Sequence, residues 1–246
     1  MQNKIEINRN GIEKFLMKIK DVLKHNRKKS MIISAAFLVI VVLVVSFAVY
    51  RNYEINKSLE QYADIMSSFE KEISDISKNV PMDEANYTLA ESQVKAAKSS
   101  AAAKIAKLAE SSKFGYMSEL GYYVAAGYYL EGGNNAEAVK HFDLFVSSNP
   151  DSDLVPLAMF SIGLAYENSG ETAKALESYL SIEKKYPNGK YNARVLYDAG
   201  RMYQKTGDLA KAKEYYEKVK LQHTNTLYSD YASARIMLLA VKPEMK

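Results

Sequence analysis

The 246-residue chain contains no cysteine, no tryptophan and only three histidines. The lack of cysteine excludes disulfides, thiolate metal sites, a cysteine nucleophile and a lipid-modified N-terminal cysteine. His25, His141 and His223 are far apart in the sequence, and the pattern around His141 places it on an exposed helical face. The chain has no phosphate-binding loop, zinc-protease motif or nucleophile elbow. We therefore expect that the protein is not an enzyme and has no catalytic, cofactor-binding or metal-binding residues.

Basic residues are unevenly distributed. Residues 1–30 contain nine lysines and arginines against three acidic residues, a net charge of +6. The whole chain has 33 basic and 29 acidic residues, and residues 31–50 have none, so residues 51–246 carry 24 and 26, a net charge of −2. A nucleic-acid-binding domain needs a basic face, so this distribution argues against nucleic acid as a partner.

Residues 31–50 read MIISAAFLVIVVLVVSFAVY, a run of 20 residues without a charge. As a helix this run is about 30 Å long, which matches the hydrocarbon thickness of a bilayer. The basic residues precede it, so we expect residues 1–30 in the cytoplasm and residues 51–246 on the other side of the membrane. The alternative is a signal peptide cleaved after Ala48. We favour an uncleaved single-pass anchor, because the basic leader and the apolar run are both long for a signal peptide.

A second apolar pattern precedes this run. It predicts a helix with most of its lysines on one side and an apolar face on the other. This segment is either a helix lying on anionic lipid or a basic leader that only sets the topology. The apolar face consists of Ile12, Phe15, Leu16, Ile19, Val22 and Leu23.

Residues 51–81 predict one long membrane-proximal helix, ended by Pro81. Its apolar residues alternate gaps of four and three, which is a heptad pattern. The stripe either forms a coiled coil, giving a homo-oligomer through residues 55–80, or packs on later helices of the same chain. We favour packing within the chain, because the stripe contains two aromatic residues. Its members are Ile55, Leu59, Tyr62, Met66, Phe69, Ile73, Ile76 and Val80.

The rest of the chain, residues 82–246, repeats one pattern at a spacing of 37 residues without gaps. Each copy predicts a helix, a turn at a glycine, a second helix and a break. The clear copies are about 119–155, 156–192 and 193–229, residues 230–240 predict a capping helix, and 83–112 form a degenerate copy. The equivalent positions are Ala126, Gly163 and Gly200; Tyr129, Tyr166 and Tyr203; Gly133, Gly170 and Gly207; Ala138, Ala175 and Ala212; and Phe142, Tyr179 and Tyr216.

This series of small, aromatic, glycine, alanine and aromatic positions resembles the tetratricopeptide repeat. The resemblance implies an all-α fold, a helical-hairpin solenoid with a period of 37 behind a single transmembrane helix. It also implies a concave groove, lined by the first helix of each copy, that binds a partner protein. By this resemblance the groove residues are Tyr123, Leu130, Phe160, Leu164, Glu167, Asn168, Arg194, Tyr197, Arg201 and Lys205.

The order of parts is a basic leader, an anchor, a helix and an external repeat domain. It resembles the bacterial periplasmic ancillary protein family of the Sec translocon. That resemblance implies a scaffold that helps protein export by handing emerging chains to periplasmic chaperones. Its expected partners are other envelope proteins or exported chains, including the translocon, together with the lipid bilayer. The alternative is a periplasmic coordinator of envelope maintenance or division of the Tol–Pal-associated type, which combines a coiled coil with similar repeats.

Overall fold

The computed structural model describes residues 9–25, 27–79 and 84–241, and these residues form ten α-helices and no strand. Val80 and Pro81, at the predicted end of the membrane-proximal helix, lie outside the described residues. The ten helices, without a strand among the described residues, confirm the predicted all-α fold. The helices are α1 (Arg9–His25), α2 (Arg27–Asn79), α3 (Glu84–Ser111), α4 (Tyr116–Glu131), α5 (Asn135–Ser148), α6 (Val155–Asn168), α7 (Thr172–Lys185), α8 (Asn192–Lys205), α9 (Leu209–Gln222) and α10 (Leu227–Val241).

The chain forms two units, residues 1–53 and 54–246. In the first unit, α2 is long and apolar enough to cross a membrane, and every side chain of residues 31–50 is exposed. In α1, Phe15 and Leu16 of the predicted face are exposed, and Ile19 is partly buried. Three other residues of the predicted face have side chains outside the described part: Ile12, Val22 and Leu23.

In the second unit, the later part of α2 packs on α4. The rings of Tyr62 and Tyr116 are 6.1 Å apart, and Phe69 meets Tyr128 edge-on at 5.4 Å. The Tyr128 hydroxyl also lies 3.6 Å from the Met66 sulfur. These contacts use the apolar stripe within the chain, which supports intrachain packing over a coiled coil.

The predicted degenerate copy at residues 83–112 is wrong in its first half, because α3 is one continuous helix. Ala96 occupies the position that holds a turn glycine in the three clear copies, so the chain has no residue suited to a left-handed break there. The second half keeps the repeat register. Ala101, Ile105 and Leu108 are buried at the positions of the buried residues in the later copies.

Helices α4 to α9 form three helical hairpins, and each hairpin turns at a glycine with a positive φ. The φ angles of Gly133, Gly170 and Gly207 are 77°, 75° and 87°. In the second hairpin, the Gly170 N–H donates to Glu167 O at 3.0 Å and the Glu171 N–H donates to Tyr166 O at 2.9 Å. This paired arrangement satisfies the last carbonyls of the first helix.

Successive helices pack on one another, and α10 packs on α9 and α8. The fourth residue of each second helix is an alanine with no exposed surface: Ala138, Ala175 and Ala212. Because the three alanines occupy equivalent helix junctions, the predicted solenoid with a 37-residue period is confirmed. Its core is continuous between the second and third hairpins, where residues of α6 to α10 form one buried cluster.

The helix caps differ among the hairpins. The Asp208 side chain accepts a hydrogen bond from the Lys211 N–H at 3.0 Å, as expected of an N-cap. Asn134 and Glu171 occupy the same position but make no side-chain cap bond. Only the third hairpin therefore gains this contribution to the start of its second helix.

In the second and third hairpins, the second helix lies close to the small residue of the first helix. A Cβ added at Gly163 would lie 2.5 Å from Cε1 of Tyr179, and one at Gly200 would lie 2.7 Å from Cε1 of Tyr216. Neither distance is possible without movement, so these glycines allow a tyrosine ring to lie against the backbone of the first helix.

Candidate functional site

The predicted groove residues lie on the first helices of the hairpins, α4, α6 and α8. The structure does not expose them equally. Asn168 and Lys205, at the C-terminal ends of α6 and α8, are exposed. Leu130 and Leu164 are partly buried and pack against the core. The wall is therefore most accessible at the ends of the helices nearest the glycine turns.

Tyr123 is largely occupied by packing. Its ring meets Phe142 at 5.6 Å and Phe145 at 5.2 Å, both edge-on. Partial burial raises the pKa of the Tyr123 phenol. Tyr123 supports the shape of the first hairpin and offers only part of its ring to a partner.

Phe160 is 1% exposed and cannot touch a partner in this conformation. Its ring lies 5.5 Å from that of Tyr179, and the Arg194 guanidinium lies 4.3 Å above it. A guanidinium over an aromatic face is attracted by the ring quadrupole. Phe160 therefore holds Arg194 in place on the wall, and its own surface is buried.

Four charged residues form a network between α6 and α8. Arg201 donates to the Glu167 carboxylate and to the Asp198 carboxylate, both at 2.8 Å. Arg194 reaches Asp198 at 3.6 Å. Two arginines are thus balanced by two carboxylates, so this part of the wall is less basic than its sequence suggests.

Asp198 is the buried centre of this network, with only 5% of its surface exposed. Burial raises the pKa of its carboxyl, while the hydrogen bond and charge of Arg201 oppose the shift. Burial acts against the charge of Arg201, but its hydrogen bonds to Glu167 and Asp198 outweigh this and raise the guanidinium pKa. Glu167 also accepts a bond from the Tyr179 hydroxyl at 3.3 Å.

Next to the network, three tyrosines and one arginine form a surface that we call the Tyr–Arg patch: Tyr197, Tyr228, Tyr231 and Arg235. The Tyr197 ring lies 5.9 Å from those of Tyr228 and Tyr231, and Arg235 Nε donates to the Tyr197 hydroxyl at 3.4 Å. Tyr231 is 46% exposed. Arg235 has no carboxylate partner within the described residues. The patch therefore combines an accessible ring with a cation that is not neutralised.

Sequence reasoning identified Tyr197 but missed the rest of the patch and Asp198. Signals for both were present. Tyr228, Tyr231 and Arg235 are spaced i, i+3, i+7, which places them on one helical face. Asp198 lies four residues after Arg194 and three before Arg201, the spacings of helical ion pairs.

The prediction that His141 lies on an exposed helical face is wrong, because only 6% of its surface is exposed. Its ring lies 5.1 Å from that of Tyr129, and Nδ1 is 2.8 Å from Glu137 O. Within the described residues, no group of three or more His, Asp or Glu side chains is placed to hold a metal ion.

The helical-hairpin register matches a known family model. A model described as tetratricopeptide repeat-like domain matches residues 24–226, more than half of the chain. The chain belongs to this family. In the tetratricopeptide repeat fold, stacked hairpins present extended surfaces to other proteins, so the chain is built as a protein–protein interaction scaffold.

Several solved structures are similar to the chain. YrrB, described as a TPR protein with an unusual peptide-binding site, is 17% identical with a TM-score of 0.46; the match covers 77% of this chain and 97% of YrrB. MamA of AMB-1 is 13% identical with a TM-score of 0.43, over 75% of this chain and 98% of MamA. BtubC of P. vanneervenii is 14% identical with a TM-score of 0.43, over 74% and 80%. A comparison with curated protein sequences found no match.

Proposed function

We propose that the protein is a membrane-anchored interaction scaffold of the bacterial cell envelope that assists protein export at the Sec translocon. One observation supports this most strongly: the chain joins a fully exposed apolar helical run, residues 31–50, to a tetratricopeptide repeat domain. An exposed run of this length is costly in water and stable in a bilayer.

The charge distribution gives the proposed orientation. The net charge of +6 in residues 1–30 is retained on the cytoplasmic side, so the repeats lie outside the inner membrane. Anchoring raises the concentration of the repeat surface near a membrane-embedded partner without any new contact. The scaffold then acts by reversible binding of emerging chains or of a periplasmic chaperone.

The Tyr–Arg patch is the part of the wall best suited to that binding. Aromatic and arginine residues contribute most of the energy in many protein interfaces. Arg235 donates to the Tyr197 hydroxyl and is not paired with a carboxylate in the described part of the chain. Lys205 is exposed at the end of α8, the helix that also carries Tyr197. The patch suits a segment that has an acidic residue beside an apolar or aromatic one.

The test is site-specific photocrosslinking in intact cells, with p-benzoylphenylalanine at Tyr231. The expected products, identified by mass spectrometry, are translocon subunits, exported chains or periplasmic chaperones. The matched control carries the same photoreactive residue at Leu221, which is 81% exposed on α9 and outside the patch. Equal yields of the same products at both positions would show that the patch has no special role.

Two other outcomes separate the parts of the proposal. Capture of ribosomal or metabolic cytoplasmic proteins would overturn the orientation. Capture of envelope-maintenance proteins without export factors would favour the Tol–Pal-type coordinator. The mass of the protein isolated from membranes distinguishes the two proposed functions further. A protein with an uncleaved anchor retains residues 1–48, and a protein whose signal peptide is cleaved lacks them.

A further inference from the structure

The three hairpins repeat one side-chain arrangement on the face away from the predicted groove. The first helix of each contributes a tyrosine at the same position: Tyr129, Tyr166 and Tyr203. Opposite it, the second helix contributes His141, Ser178 and Tyr215, which are also equivalent positions. Two hairpins thus place a ring against this tyrosine, and the middle hairpin places a serine there.

The outer two hairpins show what the position accommodates. The His141 ring lies 5.1 Å from that of Tyr129, and the Tyr215 ring lies 5.2 Å from that of Tyr203. Both rings are almost fully buried. The Tyr215 hydroxyl donates to the Glu183 carboxylate, 3.1 Å away on the preceding hairpin. A ring at this position therefore fills the space between two hairpins.

In the middle hairpin that space is open. A cleft of about 480 Å³ lies between α5, α6 and α7, and we call it the Ser178 cleft. The volume lies within the range of small-molecule sites, about 300–1,000 Å³. Its lining includes Asp143, Val146, Met159, Ile162, Tyr166 and Ser178.

The lysine and tyrosine beside the Ser178 cleft match those of the filled third hairpin. Lys174 lies 5.2 Å from the centre of the Tyr166 ring, and its equivalent Lys211 lies 5.3 Å from that of Tyr203. The lysine and the tyrosine are thus placed alike in both hairpins. The residues that differ are smaller in the middle hairpin, so one side of Tyr166 faces the cleft. They are Ser178, Val146 and Ser181, in place of Tyr215, Glu183 and Lys218.

The Asp143 carboxylate, a hydrogen-bond acceptor, also lines the cleft. The Asp143 carboxylate makes no ion pair or hydrogen bond in the part of the chain that the structure describes. It lies at the open edge, where partial desolvation raises the pKa of its carboxyl. Asp143 is on α5, one helical turn before Val146, which occupies the register position of Glu183. It can therefore accept a bond from a donor that enters the cleft.

We propose that the Ser178 cleft binds an aromatic side chain with a hydrogen-bond donor, tyrosine or tryptophan, from a partner protein. The occupant is inferred from the chain itself, since Tyr215 fills the equivalent space. The site is separate from the proposed groove: on α6, Met159 and Ile162 lie about opposite the groove residue Leu164 around the helix axis. It gives the scaffold a second point of attachment on its other face.

The experiment uses the lack of cysteine, because Ser178→Cys gives the full-length protein a single thiol. The purified variant in detergent is equilibrated in a redox buffer with 4-(2-mercaptoethyl)phenol or with 2-cyclohexylethanethiol, and the mixed disulfides are measured by intact mass. Stacking on Tyr166 should favour the phenol thiol by about threefold or more. Equal capture of the two thiols would overturn the proposal.

The matched control is Ser148→Cys, at an exposed position of α5 outside the cleft. It should show no preference between the thiols. An equal preference at both positions would reflect the detergent and overturn the proposal. This readout is independent of the membrane orientation and of the Tyr–Arg patch.

A second variant tests the shape of the cleft without any ligand. Ser178→Tyr supplies the ring that Tyr215 supplies in the third hairpin, so we expect the melting temperature to rise by about 2–4 °C. A lower melting temperature would show that the cleft does not accept a ring, and would contradict the proposal.

Discussion

The first hairpin and the two that follow pack their helices with different sets of residues. The first combines Ala126 with Phe142, a ring without a hydroxyl. The second and third replace the alanine with glycine and the phenylalanine with tyrosine. In the third, the Tyr216 hydroxyl donates to Gln204 Oε1 at 2.9 Å, and in the second, Tyr179 donates to Glu167. Leu130 occupies the corresponding position of the first hairpin.

This difference shows that three positions change together. A hydroxyl near a buried surface needs a polar partner, so tyrosine occurs with glutamate or glutamine and phenylalanine with leucine. In the second hairpin the partner does more, because Glu167 also accepts from Arg201 of the next hairpin. The choice of ring therefore affects how one hairpin is joined to another.

The largest expected effect comes from Gly163→Ala, which gives the second hairpin the small residue of the first while keeping its tyrosine. The new Cβ would lie 2.5 Å from the Tyr179 ring, so we expect a loss of about 1–3 kcal/mol in the free energy of unfolding. Urea denaturation measures it. The control is Gly127→Ala, where the added Cβ meets nothing within 4 Å and should be neutral or stabilising. Equal effects of the two substitutions would refute the close-approach explanation.

A smaller effect is expected from Glu167→Leu, which gives the second hairpin the residue of the first at that position. It removes the acceptor of both Tyr179 and Arg201 and should lower the free energy of unfolding by about 1–2 kcal/mol. Glu167→Gln keeps one amide oxygen and should lose less. If the leucine variant were as stable as the wild type, the polar link would make no net contribution to stability.

The smallest effect is expected from Tyr216→Phe, which gives the third hairpin the ring of the first. At neutral pH the lost bond to Gln204 should cost about 1 kcal/mol. Burial raises the pKa of Tyr216 to about 12, above an unfolded value of about 10. The unfolded state therefore loses this proton first, and wild-type stability falls as the pH rises through this window.

Because phenylalanine lacks that proton, the stability gap between wild type and Tyr216→Phe should narrow from pH 10 to 12. Thermal melts of both proteins across this range measure the gap. Tyr87→Phe, at a 64% exposed position of α3, is the control and should track the wild type. A gap that stays constant with pH would contradict the raised pKa.

Much of the fold could be predicted from the sequence, because its signals are local and repeated. The positive φ at Gly170 and the buried Ala175 follow from the 37-residue register alone. The same register also indicates that α3 is one continuous helix, because Ala96 occupies the position of the turn glycine there. The error came from weighing the apolar positions above the turn position.

The candidate surface was harder to predict, because exposure depends on contacts between hairpins. Phe160 is at the expected register position, yet Tyr179 and Arg194 cover its ring. His141 lies on a helix with many polar residues, but its ring is buried in contact with the ring of Tyr129. The sequence gives the face of a helix on which a residue lies, and only the tertiary contacts give what covers that face.

The junctions between hairpins differ in their polar contacts, and this has a consequence for how the solenoid opens. Arg201–Glu167 and Tyr215–Glu183 bridge the second and third hairpins. Among the described residues, no side-chain hydrogen bond or ion pair bridges the first and second. Buried apolar residues join the hairpins at both junctions, so the difference lies in the polar bridges. Under denaturant or mechanical load, we expect the junction between the first and second hairpins to open before the other. The repeat domain would then yield first at one junction, while polar bridges still join the second and third hairpins.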